Sequence, residues 1–287
     1  MGHAVVTVSA AKAGTTGGTF ADTLTAASPD SLTVATYVQS DPNVPGARIL
    51  EWWGMDDTSA AELELFYSRP LSTHDQTHGQ RSQVASLLAG SAGKIGAQEF
   101  LPGGIVIDVF PSDVANILAT TTASDNIACS MNIEYDDLPG AAGVFSSLGQ
   151  VNNLRKSTLG IFCNAVGSAT HGAYGTARAF NADDNRLHAN TWYAILGFTV
   201  RTPVMTVSLL GTDFGGQRIG APGDPLSFRT ASWWADQAQK WNKPLIPCFN
   251  SNNAGAISVQ ILDAGASVTP SLDFQLYELS AMPTPGS

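Results

Sequence analysis

His74, Asp75 and His78 have the most recognisable metal-binding spacing in the chain. Two imidazoles four positions apart share one face of a helix and can grip a divalent ion. The segment lacks the Glu of an HExxH protease and is flanked by Pro70, Ser72, Thr73 and Gly79, so it reads as a surface loop. Asp183 and Asp184, in the turn Asn181–Arg186 (NADDNR), could ligate calcium. The spaced Asp/Asn pattern and closing Glu of a dedicated calcium loop are missing, and an Asn/Asp-rich turn forms without an ion. Glu62 and Glu64 alternate with Leu63 and Leu65, which makes them the wet face of a strand. Gly211–Pro225 (GTDFGGQRIGAPGDP) has many glycines but no closing GK[ST], so it is not a phosphate cradle. It reads as a projecting loop, the kind of segment that makes contacts.

No nucleophile with a base, no GxSxG and no Rossmann glycine pattern ahead of a helix is present. The expectation is a non-enzyme with no catalytic residues, no cofactor and no metal. A β scaffold can gather distant residues, so a hydrolase stays open as the remotest alternative. Cys129, Cys163 and Cys248 match neither a zinc nor a dithiol spacing and sit in or beside apolar runs. They read as buried thiols, and their odd, low count fits a reducing compartment.

The elements that would position such groups are strands. Pro102–Leu138 and Pro244–Leu279 repeat one order: a proline-marked apolar strand, a polar turn, an alternating strand, a small-residue turn and an alternating closing strand. Phe110 matches Phe249 and Ile117 matches Ile257. The closing strands Ser130–Leu138 (SMNIEYDDL) and Ser271–Leu279 (SLDFQLYEL) match at an offset of about 140 positions. Upstream, Arg48–Met55 with Ala61–Ser68 lines up more loosely with Ala194–Arg201 and Met205–Asp213. Each copy then carries a helix-like stretch, Arg81–Phe100 and Thr230–Trp241. The reading is an all-β chain of two tandem units with short helices inserted. Residues 1–30 form an N-terminal arm, 31–150 the first unit, 151–281 the second and 282–287 a tail. Ser31–Ser40 is the first strand of the first unit, Asp41–Gly46 (DPNVPG) is a turn, and Gly140–Lys156 joins the units.

Adjacent Trp52 and Trp53 must face opposite sides of a strand. One enters the core; the other is either covered by its own loop or is a contact to a neighbouring subunit. Phe214 and Arg218, in the glycine-rich loop, complete the set of candidate inter-subunit contacts. Trp233, Trp234 and Trp241 should clamp their helix to the sheet. The 287 residues carry only 13% charged side chains, with 28 glycines and a net charge of −10. A neutral, small-residued surface suits burial against other copies, and the acidic balance argues against direct, sequence-specific nucleic acid binding. Neither a signal peptide nor the roughly 20 apolar residues of a bilayer span is evident, so synthesis in the cytoplasm is expected.

This architecture resembles the double jelly-roll major capsid proteins of tailless icosahedral viruses, many of them bacteriophages with an internal membrane. The resemblance rests on the paired blocks around Ile107/Ile246, Ile117/Ile257 and SMNIEYDDL/SLDFQLYEL. It implies two jelly rolls (β-sandwich or barrel), a homotrimer forming a pseudo-hexagonal capsomer, neighbouring capsomers, minor capsid proteins or an internal membrane as partners, and location in the virion. Alternatives left open are another virion protein, such as a single jelly-roll capsid or spike subunit, and a carbohydrate-binding adhesin. The adhesin would lay Trp52 or Trp53 and Trp233 or Trp234 against sugar rings.

Overall fold

The computed structural model describes residues 4–14, 16, 18–23, 25–26, 45–56, 61–68, 80–87, 95–96, 107–109, 114–121, 126–136, 143–164, 166–167, 173–223, 228–263 and 269–283. Ser31–Ser40, Asp41–Val44, the His74–His78 loop and Phe110 lie outside them, as does the end of the tail.

In the first half the strands are β1 (Ala4–Lys12), β2 (Gly18–Thr23), β3 (Thr25–Ala26), β4 (Ala47–Asp56), β5 (Ala61–Ser68), β6 (Gln80–Leu87), β7 (Ile95–Gly96), β8 (Ile107–Val109), β9 (Val114–Thr121) and β10 (Ile127–Tyr135). The second half has β11 (Val144–Phe145), helix α1 (Leu148–Leu154), β12 (Arg155–Cys163), β13 (Arg178–Ala179), β14 (Trp192–Val200), β15 (Val204–Leu210), β16 (Arg218–Gly223), helix α2 (Trp233–Trp241), β17 (Ile246–Asn250), β18 (Ser258–Leu262) and β19 (Leu272–Leu279). The chain is all-β, and its described strand pairs are antiparallel.

Each half pairs its principal strands in the same way. β1 pairs with β10, β2 with β9, β4 with β8 and β5 with β6. Likewise β12 pairs with β19, β13 with β18, β14 with β17 and β15 with β16. Each half is therefore a long hairpin whose rungs fall alternately into two sheets. The sheets run β1-β10-β4-β8 and β2-β9-β5-β6 in the first half, and β12-β19-β14-β17 and β13-β18-β15-β16 in the second. Among the described residues, no sheet mixes strands of the two halves.

The second-half core follows from period-two alternation. Leu272, Phe274 and Leu276 of β19 point inward to meet Val207 and Leu209 of β15 and Val259 and Ile261 of β18. Phe274 lies 5.8 Å from Phe198, its cross-strand partner on β14, and 4.8 Å from Phe180, which follows β13, ring centre to ring centre, so the second of these contacts ties the two sheets together. Helix α2 ends at Asn242, whose φ of 51° gives the left-handed turn that stops a helix. Trp233 and Trp234 are both buried and hold this helix to the core, as expected from sequence.

Three sequence-based expectations are corrected. Ala4–Lys12 is not part of an arm: it is a buried strand paired along its length with β10. The described residues of the stretch expected to be helix-like, Arg81–Phe100, are strands, β6 and β7; the apolar spacing fits either period, and pairing of β6 with β5 decides between them. The Gly211–Pro225 segment is not a projecting loop throughout, because β16 occupies Arg218–Gly223 with all six residues buried. The segment expected to join the units carries β11 and α1, whose N-cap Ser147 accepts a hydrogen bond from the Gln150 N–H.

Candidate interaction surface

The chemistry of β10 lies on the face turned away from its own sandwich. Ser130, Asn132 and Glu134 alternate with Met131, Ile133 and Tyr135, and all are buried. β1 lays Ser9 beside Ser130 and Thr7 beside Asn132. The second half covers this polar stripe. Thr7 Oγ1 donates to Asn132 Oδ1 at 2.7 Å and accepts from the Gly220 N–H at 2.6 Å. A Cβ on Gly220 would meet Thr7 Cγ2 at 2.7 Å, so glycine is required for β16 to approach this closely. Ser130 hydrogen-bonds Thr206 at 2.7 Å and Ser9 hydrogen-bonds the Tyr174 hydroxyl at 2.7 Å. At the stripe's end, Glu134 is fully buried and lies 2.6 Å from Lys243 and 3.6 Å from Arg48. Arg48 also pairs with Asp136 at 2.6 Å. These contacts join the halves through satisfied polar groups, which set alignment more sharply than apolar contact alone.

All four candidate inter-subunit residues lie inside the chain's own fold, and this corrects the expectation. Trp52 sits opposite Met131 and points into the first half, while Trp53 sits opposite Ser130 and points out of it. The outward ring is covered by the second half of the same chain. Its Nε1–H donates to the Met205 carbonyl at 3.0 Å and to Thr206 at 2.9 Å, and its ring meets Trp233 edge-on at 6.0 Å. Phe214 is buried in the second core. Arg218 is buried with its guanidinium 3.6 Å from the centre of the Tyr174 ring and bonded to Ser208 and Gln260. A residue without surface cannot reach a neighbour. Burial of Trp52, Trp53, Trp233 and Trp234 also removes the platform that sugar binding required.

Asp183 and Asp184 are committed to arginines. Asp183 pairs with Arg178 and accepts from the Asn164 N–H; Asp184 pairs with Arg186 and accepts from the Phe162 N–H. Arg186 also donates to the Gly160 carbonyl. The turn therefore blocks part of the outer edge of β12, where open backbone groups would invite foreign strands. The Arg186 hydrogen bond holds the Asp184 carboxyl down at about 2, against an ordinary 3.8. A depressed carboxyl contributes stability above its unfolded value, and the contribution is lost as pH falls through the folded one. The thermal midpoint should therefore drop between pH 4 and 2 by less in Asp184→Asn than in wild type. Because the Arg186 side chain is 57% exposed, water screening keeps the effect small. Equal acid sensitivity of the two proteins would contradict it.

The three thiols are free and buried. Burial pushes Cys129 up to about 12 and Cys163 up to about 11, and raises Cys248 well above its ordinary value, so none is a nucleophile at neutral pH. Among the described residues no group of three or more His, Cys, Asp or Glu is placed to hold a metal ion, and no helix is long and apolar enough to cross a membrane.

The polar stripe of β10 was missed by sequence reasoning, which takes alternating polar residues as a wet face. Its trace is the matching set Ser271, just before β19, and Asp273 and Gln275 on β19, which is only partly buried. One copy of the pattern is fully buried and the other is partly buried.

By class, this is an all-β chain of antiparallel sheets whose strand pairing occurs twice. No family model matches it, and no curated protein matches it. Among solved structures, the chain aligns with the crystal structure of the STIV MCP at 10% identity, over 99% of this chain and 98% of that one. The TM-score of 0.19 is too low for that alignment to define a shared fold.

Proposed function

We propose that the protein is a capsid subunit, a double jelly-roll major capsid protein that forms trimers of pseudo-hexagonal outline in a virion shell. The observation that carries this is the strand pairing: first with last, second with seventh, third with sixth and fourth with fifth, twice in one chain. A rolled hairpin of eight strands in two sheets supports the jelly-roll reading, a fold used by capsid and lectin domains. Two rolls in tandem, near residues 31–150 and 151–281 with β1, β2 and β3 added to the first, supply six sandwiches per trimer. The low charge content suits a surface covered by other copies. Its role is structural and non-catalytic, with identical interfaces closing a shell around symmetry axes. Neighbouring capsomers are its partners, and contact with a genome or internal membrane falls to minor proteins.

Light scattering on the purified chain, with negative-stain images of the same sample, tests the reading. A stable trimer of six-lobed outline, or closed shells, is the expected result. A compact monomer at every accessible concentration would overturn it.

A further inference from the structure

We infer that the turn Asn181–Arg186 is an autoinhibitory contact: it occupies the outer edge of β12 as a neighbouring strand would, and so keeps β12 of a second copy from pairing there edge to edge. β12 ends its five-stranded sheet, with β19 on its inner side. Such an edge presents a row of backbone groups that can pair with any extended chain. The turn takes three of them in succession. Arg186 donates to the Gly160 carbonyl at 2.6 Å, Asp184 accepts from the Phe162 N–H at 3.3 Å, and Asp183 accepts from the Asn164 N–H at 2.7 Å. Donor and acceptors thus fall at the two-residue period of a strand partner, supplied by side chains instead of a backbone ladder.

Both carboxylates are held from behind. Arg178 Nε donates to Asp183 at 3.0 Å, and the Arg186 backbone N–H donates to Asp184 Oδ1 at 3.1 Å. Beyond the reach of the turn, the edge is blunted in another way. The register of β12 on β19 shifts between Arg155 and Ser157, so exposed Lys156 stands at a bulge. A bulge and a lysine each spoil an edge for pairing. In the first half the equivalent strand, β1, has β3 paired across Ala10 and Ala11 instead. Without the turn, β12 of a second copy could lie antiparallel on this edge about a two-fold axis, the same patch on both copies, and fuse two five-stranded sheets into one.

Sedimentation velocity over a concentration series compares wild type with two double variants of equal charge. Asp183→Asn with Asp184→Asn keeps an acceptor oxygen at each position and should associate as wild type does. Asp183→Ala with Asp184→Ala bares the Phe162 and Asn164 N–H groups and should strengthen self-association at least about ten-fold. Adding Thr158→Pro to the alanine pair should reverse that gain, because the Thr158 N–H shares the outward direction of the Phe162 N–H and proline has none to donate. Residue-resolved hydrogen exchange on dilute wild type supplies a readout free of any substitution: the Phe162 and Asn164 amides should exchange at least about ten-fold more slowly than the Thr158 amide. An alanine pair that associates no more than the asparagine pair, a gain that survives Thr158→Pro, or a Phe162 amide that exchanges as fast as that of Thr158 overturns the inference.

Discussion

Ile257→Asp should abolish soluble folding of the chain. Ile257 is 1% exposed within the second-half core, and its carbonyl accepts a hydrogen bond from the Phe180 N–H at 2.9 Å, at the corner where β13 meets the start of β18. Losing the isoleucine forfeits about 1.5–3 kcal/mol of apolar burial. The carboxylate is then either charged without solvent or protonated against its preference, which costs several kcal/mol more. Domains of this kind hold only about 5–15 kcal/mol in reserve. Expression in the insoluble fraction, or a far-ultraviolet spectrum without strand signal, is the expected outcome. A soluble variant with the wild-type melting temperature would show that this position is not core.

The second large effect is expected at the junction of the halves. Lys243→Met leaves the fully buried Glu134 carboxylate without its 2.6 Å partner, and Arg48 stands farther off at 3.6 Å. Removing one member of a buried pair commonly costs about 3–5 kcal/mol, and the partial exposure of Lys243 places this case below that range, at about 2–3 kcal/mol. Adding Glu134→Gln to the variant should restore part of the loss, because the stranded charge is gone. Urea unfolding of the two single variants and the double variant measures the coupling. A loss below about 0.5 kcal/mol in Lys243→Met would mean that water solvates Glu134 in its absence.

How much was legible in the chain depends on which force acts at each position. β10 and β19 were readable because alternation against a sandwich core is a local pattern, and α2 because its three tryptophans fall where a helix needs anchors. β16 was not. Arg218–Gly223 (RIGAPG) has the composition of a loop, yet its glycines answer to close packing: a Cβ on Gly223 would lie 2.3 Å from Val204 Cγ2. Glycine for a turn and glycine for close approach look the same in a sequence. Trp52 and Trp53 had to face opposite sides, but alternation does not say which faces out, and the cover over Trp53 comes from residues more than 150 positions away in the same chain. The polar stripe of β10 shows the same limit, since only the stacking of one half on the other distinguishes a wet face from a buried one.

The Trp53–Trp233 pair has an optical consequence. Two indoles 6.0 Å apart at an interplanar angle of 75°, one from each half, are close enough for their transition dipoles to couple. Such coupling falls with the inverse cube of separation and splits the circular dichroism band into a signed couplet. The chain thus contains its own gauge of how the two halves sit, readable in solution without a label.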